Sequence, residues 1–390
     1  MVRVRQIYIF LGIFALILSL SHLYMFARIS YYLQLTSHQQ LFMGLLLGSF
    51  SLLTLIIIPV SRMLPRMAGT ILAWTIYPWM GIALLMFTTL LATDMAWYLL
   101  KLVPVSHLPE PRLLLQHCFG VIALSITGIL GGISLWNGLR SVKVTPLTIA
   151  LRRLPKSLDG LRIVQITDLH IGPLIKGEWL RQVVNKVNTL KPDLIVITGD
   201  LVDGSVEDLH QHIAPIADLH ASHGTYFITG NHEYYSGVAQ WCAHIANLGI
   251  RVLRNERVSI TAGSEDSSFD LAGVDDWGSR HFPGEGPNLH KALEGRDPNK
   301  ALILLAHQPA AVHEASEHGV DLQLSGHTHG GQIWPFTYLV YLQQPYTKGL
   351  YRHSNTETQV YVSPGTGFWG PPMRLGTSAE ITHITLLSAP

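Results

Sequence analysis

The hydrophobic pattern of the chain changes near residue 140. Before that point apolar positions run on without a period, in four stretches at Ile7–Ala27, Leu41–Val60, Gly69–Leu91 and Leu113–Leu139. A helix that is apolar on every face has no solvent side, and about 20 such residues cross the hydrocarbon core of a bilayer. Four membrane-spanning helices are therefore predicted. Beyond residue 150, short apolar runs rich in β-branched residues alternate with stretches of helical period. Leu161–Thr167, Leu194–Thr198, Thr225–Thr229, Ala301–Ala306, Leu322–Leu324 and Val360–Ser363 read as buried strands, and Glu178–Leu190 reads as a helix between the first two. A strand, a helix and a strand in that order imply an α/β core. The boundary falls in Val144–Pro155, which predicts a helical anchor over residues 1–143 and a globular domain over 144–390. The Gly- and Pro-rich stretch Pro364–Pro372 is expected to be a loop.

Composition sharpens this division. Charged residues make up only 14% of the chain, against about 25% in ordinary soluble domains, and the deficit lies in the first 140 residues. The first apolar run follows Arg3 and Arg5, as a secretory leader would. It is longer than a leader's core, no small-residue cleavage site follows it, and three more runs come after, so a retained helix is expected. Basic residues distribute unevenly between the two sides that four spans would create. Nine (Arg3, Arg5, Arg62, Arg66, Arg140, Lys143, Arg152, Arg153, Lys156) share one side, and three (Arg28, Lys101, Arg112) share the other. Basic loops stay in the cytoplasm, so both termini and the globular domain are expected on the cytoplasmic side of an inner or plasma membrane. That holds only if Gly69–Leu91 spans fully despite Pro78. The ionisable residues noted in the apolar half, His22, His117 and Asp94, lie near predicted span ends. This argues for an anchor rather than a transporter. The small residues Gly128, Gly131 and Gly132 would let helices pack closely. A net charge of +1 with no basic run in the second half excludes nucleic acid as an expected partner. Cys118 and Cys242 are too few for a disulfide framework or a zinc ribbon.

Histidine changes the picture most, with 20 in the chain and several in tight motifs at strand ends. The first strand runs into Asp168-Leu169-His170, the second into Gly199-Asp200-Leu201-Val202-Asp203, and the third into Gly230-Asn231-His232-Glu233. The next ends at His307 and the next at Gly326-His327-Thr328-His329. If the chain stays extended, residues two apart point the same way, so Asp168 with His170 and His327 with His329 would each face a common point. Carboxylate, amide and imidazole donors without thiolates suit manganese, iron or zinc rather than copper(I) or an iron–sulfur cluster. Seven candidates (Asp168, His170, Asp200, Asn231, His307, His327 and His329) are too many for one ion and suit two divalent ions sharing a carboxylate. Such a pair can hold a hydroxide and clamp both oxygens of an in-line phosphoryl displacement. Ligands collected at the carboxyl ends of strands are what an open α/β sheet provides.

These motifs, in this order, resemble the calcineurin-like metallophosphoesterases over about residues 155–388. The likeness looks closest to the family's bacterial membrane-associated branch, through Leu161–Gly172 and Ser363–Thr377. Within that branch it is similar to enzymes that split UDP-diacylglucosamine into a lipid phosphate and UMP. The resemblance implies a four-layer α/β/β/α sandwich. It also implies one ion on Asp168, His170 and His329, a second on Asn231, His307 and His327, and Asp200 between them, with manganese the favoured metal. His232 would stabilise the transition state or protonate the leaving oxygen, and Asp203 would orient His232. The loop Pro364–Arg374 is either an ordinary packed loop near the site or an exposed rim for a lipid-like substrate with Arg374 as a candidate phosphate contact, and Tyr338–Tyr346 is either core or a second apolar element near the membrane. The expected activity is hydrolysis of a phosphodiester or pyrophosphate in a lipid-linked substrate. The alternatives are a soluble-nucleotide phosphodiesterase on an anchor, or a membrane receptor or transporter with a regulatory phosphoesterase domain.

Overall fold

The structure is a computed structural model that describes residues 2–102, 111–261, 267–282 and 284–389. It divides into two compact units, one of residues 1–139 with 370–373 and one of residues 140–369 with 374–390.

The first unit holds four long helices: α1 (Val2–Leu33), α2 (Ser37–Met63), α3 (Arg66–Leu102) and α4 (Pro111–Leu139). Each contains a stretch long and apolar enough to cross a membrane, from Leu11–Leu33 in α1 to Leu113–Leu139 in α4. Helix α3 continues through Pro78, so the interruption suspected there does not break the span. Met25, Ile29, Tyr32, Leu47, Leu90, Trp97 and Ala123 pack between the helices. Arg28 does not lie in a connecting loop. It sits inside α1 and pairs with Asp94 of α3, its Nε 2.8 Å from Asp94 Oδ1. The hydroxyls of Tyr24 and Tyr32 also donate to Asp94, at 2.6 and 2.7 Å. Every carboxylate oxygen is thereby satisfied, which a charge among apolar helices requires.

The second unit is a two-sheet sandwich. Its elements are β1 (Lys143–Leu151), β2 (Arg162–Ile166), α5 (Gly177–Thr189), β3 (Leu194–Thr198), α6 (Val206–Ile213), β4 (Thr225–Ile228), α7 (Asn231–Ser236), α8 (Val238–Asn247), β5 (Arg251–Val252), β6 (Glu256–Thr261), β7 (Ser268–Gly273), α9 (Leu289–Ala292), β8 (Leu302–Leu305), α10 (Val312–Glu317), β9 (Leu322–Ser325), α11 (Thr337–Val340), β10 (Gly349–Arg352), β11 (Gln359–Val362) and β12 (Glu380–Ser388). One sheet has the order β1-β12-β2-β3-β4-β5 and the other β10-β11-β9-β8-β7-β6. Ile163, Val196 and Ile228 from the first meet Phe269, Leu271, Ile303, Leu305 and Leu324 from the second in one buried core. The outer face of the first sheet is covered by Leu180, Val183, Val184 and Val187 of α5, Leu209 of α6 and Trp241 and Ile245 of α8. The outer face of the second is covered by Leu289 and Ala292 of α9 and Ala315 of α10. These are the four expected layers.

The central strands are buried at every position, as in β3 and β8, which is why they read as continuous apolar runs rather than alternating ones. The boundary stretch Val144–Pro155 turns out to contain most of β1, a nine-residue strand paired in parallel with β12 from Lys143–Glu380 to Leu151–Ser388. Pro146 is tolerated there because β1 is an edge strand, with one side free of ladder bonds.

Candidate metal centre

β2, β3 and β4 run parallel, as do β8 and β9, so each sheet brings its carboxyl ends to one edge. All seven ligand candidates leave from these ends. Asp168 and His170 follow β2, Asp200 follows β3, Asn231 follows β4, His307 follows β8, and His327 and His329 follow β9. Three overlapping groups form, in each of which the ligand atoms lie within 4.8 Å of one another: Asp168, His170 and His329; His170, Asp200 and His232; Asp200, His307 and His327. His170 Nε2 lies 3.1 Å from His329 Nε2 and 3.8 Å from Asp200 Oδ2, and His307 Nε2 lies 3.2 Å from that same oxygen. Asp200 thus faces both outer groups.

The convergence is not made by extended strands. Asp168 (φ 53°), His170 (φ 46°), Asp200 (φ 52°), His327 (φ 70°) and His329 (φ 51°) all occupy the left-handed region. Non-glycine residues rarely hold that region, and such strain concentrates at functional sites. The spacing of two therefore does align the side chains, but through bends beyond the strands rather than through a pleat. The motif glycines supply clearance. A Cβ on Gly230 would stand 2.2 Å from Asp200 Oδ1, and one on Gly326 would stand 2.2 Å from Asp168 Oδ2.

Neighbouring groups fix the imidazoles. His307 Nδ1 donates to Thr198 O at 2.7 Å, which turns Nε2 toward Asp200. Asp203 accepts from two rings at once, His170 Nδ1 at 2.9 Å and His232 Nδ1 at 2.6 Å. The expectation for Asp203 covered only His232, and its contact with His170 was not anticipated. The backbone N–H of His327 donates to Asp168, and that of His232 donates to Asp200 Oδ1 at 2.9 Å. Glu233, fully buried, received no role from its sequence motif. Its Oε1 accepts from the N–H groups of Leu201 and Val202, and its Oε2 from those of Asp200 and Gly230. One carboxylate thus ties the β3 end to the β4 end, and the only sequence signal for it was its place at the third position of a helix start. Asp276 is a second unanticipated acid, buried beside the His307 segment and accepting from Gly278 N and Gln308 Nε2.

Electrostatics favour cations here. Burial drives the Asp168 carboxyl up, whereas at Asp200 burial is overridden by the His307 and His232 imidazoles and the group sits well below the usual carboxylate range. Burial opposes a proton on His307, but Asp200 holds it protonated well above its ordinary value. Burial and the charge on His307 push His327 down to about 3. Asn231 Oδ1 is buried with no hydrogen-bond partner among the described residues. An orphaned amide oxygen beside buried carboxylates and imidazoles fits a divalent metal ion, which would accept its lone pair.

Arg374 departs from the expected phosphate contact. It is fully buried, and its guanidinium donates to the carbonyls of His329, Gly365 and Gly367. Burial lowers its pKa to about 10. The loop is folded over the site, and Arg374 pins it. His232 remains partly open to solvent, flanked by Tyr235 and Trp369 with ring centroids at 5.5 and 6.0 Å.

An α/β sandwich with buried carboxylate, amide and imidazole donors gathered at its strand ends is a metalloprotein scaffold. The model for the family "Calcineurin-like phosphoesterase" matches residues 161–331. The chain is 44% identical over 278 residues to "Transmembrane protein with metallophosphoesterase domain" of Bos taurus, covering 69% of this chain and 62% of that protein. It is 34% identical over 297 residues to an uncharacterized metallophosphoesterase of Campylobacter jejuni, covering 75% of this chain and 76% of that one. A Bacillus subtilis metallophosphoesterase is 33% identical over 288 residues, with 71% and 97% covered. The chain belongs to the metallophosphoesterase family. It spans under two thirds of the bovine relative's length, and the relatives' names specify no substrate.

Proposed function

We propose that the protein is a membrane-anchored hydrolase that uses two divalent metal ions to cleave a phosphodiester or pyrophosphate bond in a lipid-linked substrate. The observation that carries this is the gathering of Asp168, His170, Asp200, His307, His327 and His329 from the carboxyl ends of both sheets, with Asp200 close to both flanking groups and the buried Asn231 Oδ1 left without a hydrogen-bond partner among the described residues. Asp168, His170 and His329 would hold one ion, Asn231, His307 and His327 the other, and Asp200 would lie between them. When bound, such ions supply Lewis acidity toward phosphoryl oxygens and a hydroxide for in-line attack on phosphorus, with manganese the metal to test first. His232 is the protein's own acid–base group. Asp203 holds its Nδ1–H, which leaves Nε2 free to give a proton to the departing oxygen.

Four apolar helices keep the site in molecules that reside in the bilayer, where lipid substrates are concentrated, and exposed Tyr235 and Trp369 beside His232 offer apolar surface to a leaving group. A UDP-diacylglucosamine-like pyrophosphate is the finer form of this reading. The globular domain would begin near residue 144 and lie in the cytoplasm. The Arg28–Asp94 pair supports this side, because it removes Arg28 from the sparser set of free basic residues.

The test is to purify the full chain, measure its metals by elemental analysis, and assay bis-p-nitrophenyl phosphate hydrolysis with manganese. Lipid-linked and soluble nucleotide pyrophosphates are then compared in mixed micelles. About two metals per chain with manganese-dependent turnover and preference for the lipid substrate is the expected result. Preference for the soluble nucleotide would replace the substrate reading. Metal-free protein with no turnover would overturn the hydrolase.

A further inference from the structure

The run from Gly330 to Thr347 contains no Asp, Glu, Lys or Arg, and its sequence left open whether Tyr338–Tyr346 packs into the core. Its end does, with Tyr346 packed against buried Val312, Val360 and Val362, but its beginning does not: helix α11 buries none of its residues, and Trp334, Phe336, Tyr338, Leu339, Tyr341 and Leu342 are all exposed, Leu342 by 79%. Single exposed apolar residues are ordinary, but six large ones within nine positions form a contiguous patch that marks an interaction surface.

The backbone beneath the patch is firmly held. Ile333 bridges to Leu375, and Trp334 N donates to Leu375 O. Gln332 receives a bond from Trp369 N and returns one to Trp369 O. Thr337 Oγ1 donates to Gly330 O, and Gln344 Oε1 accepts from Ala310 N. The apolar side chains are therefore displayed by a fixed scaffold rather than by a slack loop.

We infer that residues 333–342 form an interfacial insertion element, which buries these side chains in the headgroup and upper acyl region of a lipid bilayer. Three observations favour a bilayer over a protein partner. The set is Trp, Tyr, Phe and Leu with no charge, and Trp and Tyr carry an apolar body with a polar tip suited to the membrane–water boundary. The chain carries four apolar helices long enough to cross a membrane. Only residues 140–142 join α4 to β1, so the domain that displays the patch is covalently linked to these helices by a short connection. The element begins four residues after the metal-ligand candidate His329, so its insertion would present the centre to lipid headgroups. The inference uses the membrane anchorage of the proposed function but not its chemistry.

The experiment uses the full chain in phosphatidylcholine/phosphatidylglycerol nanodiscs, with Cys118 and Cys242 replaced by serine. An environment-sensitive fluorophore is placed at Leu342→Cys, at Tyr338→Cys and, as control, at the exposed Glu357→Cys, and thermal melts confirm that each variant folds. Quenching by lipids carrying nitroxides on shallow acyl carbons is compared with quenching by aqueous iodide. Several-fold stronger nitroxide quenching and weaker iodide quenching at 338 and 342 than at 357 is expected. Iodide access equal to the control at both positions would overturn the inference. So would shielding from both quenchers, which would assign the patch to a protein contact. Neither readout involves turnover, so a failed hydrolase assay leaves this result standing on its own.

Discussion

Glu233→Gln isolates the tie between the two sheet ends. The carboxylate accepts four backbone N–H groups, two on each oxygen, at 2.7–3.3 Å. Glutamine has the same shape but replaces one oxygen with NH₂. Whichever way the amide turns, two buried N–H donors lose their acceptor and face another donor. An orphaned buried donor costs about 1–3 kcal/mol, so two cost about 2–6. Part of this is offset, because burial and the nearby Asp200 already push Glu233 up to about 7 and a neutral side chain escapes that penalty. The lower half of the range, about 2–4 kcal/mol, is expected. For a domain of this size each kcal/mol shifts Tm by about 2–4 °C, which gives a fall of about 4–16 °C. Calorimetry of the detergent-purified full chain, with EDTA and with manganese, measures it. Asp200 and Asn231 ride on the tied segments, so the stabilisation by manganese should also shrink. If the metal-free variant melts with the wild type and retains its metals, the carboxylate does not hold the site together.

Four further outcomes follow from the geometry. Asp200→Asn should lower metal content below two per chain and turnover by about 10³-fold or more; full activity in metal-free buffer would refute the centre. In metal-free protein, burial opposes a charge on His232, but Asp200 and Asp203 override it and lift its pKa from 6.5 to about 9. The stability this contributes is fully present below pH 6.5 and lost as the pH rises through 9. The Tm difference between wild type and His232→Ala in EDTA should therefore narrow across that window, and a widening gap would mean the sign is wrong. Arg28→Leu leaves Asp94 uncompensated and should cost about 3–5 kcal/mol, whereas Arg28→Leu with Asp94→Leu should recover most of it, read by thermal inactivation of monodispersity on a sizing column. Arg374→Ala should lower Tm and metal retention while leaving KM for bis-p-nitrophenyl phosphate near the wild-type value. A raised KM at unchanged Tm would restore the phosphate contact that the buried guanidinium argues against.

What could be read in advance was what strong local signals carry. Central strands such as Leu194–Thr198 and Ala301–Ala306 stood out because both faces are buried. The ligand motifs stood out because each closes such a strand. β1 and β6 did not, since their half-exposed positions blur the period and β1 contains Pro146. The partner of β1, β12, is also chosen by tertiary pairing rather than by nearby residues. The side-chain alignment of Asp168 with His170 was anticipated for an incomplete reason, because spacing reveals periodicity but not the left-handed bends that produce it. Arg374 stayed open between a packed loop and an exposed phosphate contact because a stretch dense in Gly and Pro carries no burial period, and only the folded chain shows carbonyls turned inward to meet the guanidinium. The double duty of Asp203 and the grip of Glu233 depend on segments about 30 residues apart, which no local pattern encodes.

The parallel pairing of β1 with β12 bears on how the molecule is made. β12 lies between β1 and β2, so β1 reaches its sheet only through a strand more than 220 residues further along. During synthesis β1 follows the last apolar helix off the ribosome and must wait, unpaired, while nearly all of the rest is translated. Its exposed and partly polar outer face, with a proline at its fourth position, suits a strand that has to stay soluble through that delay. A stop codon before residue 380 would leave β1 stranded and the edge of β2 open to other chains. Nascent chains of increasing length, probed by brief proteolysis, should therefore remain cleavable within residues 143–151 until translation has passed β12.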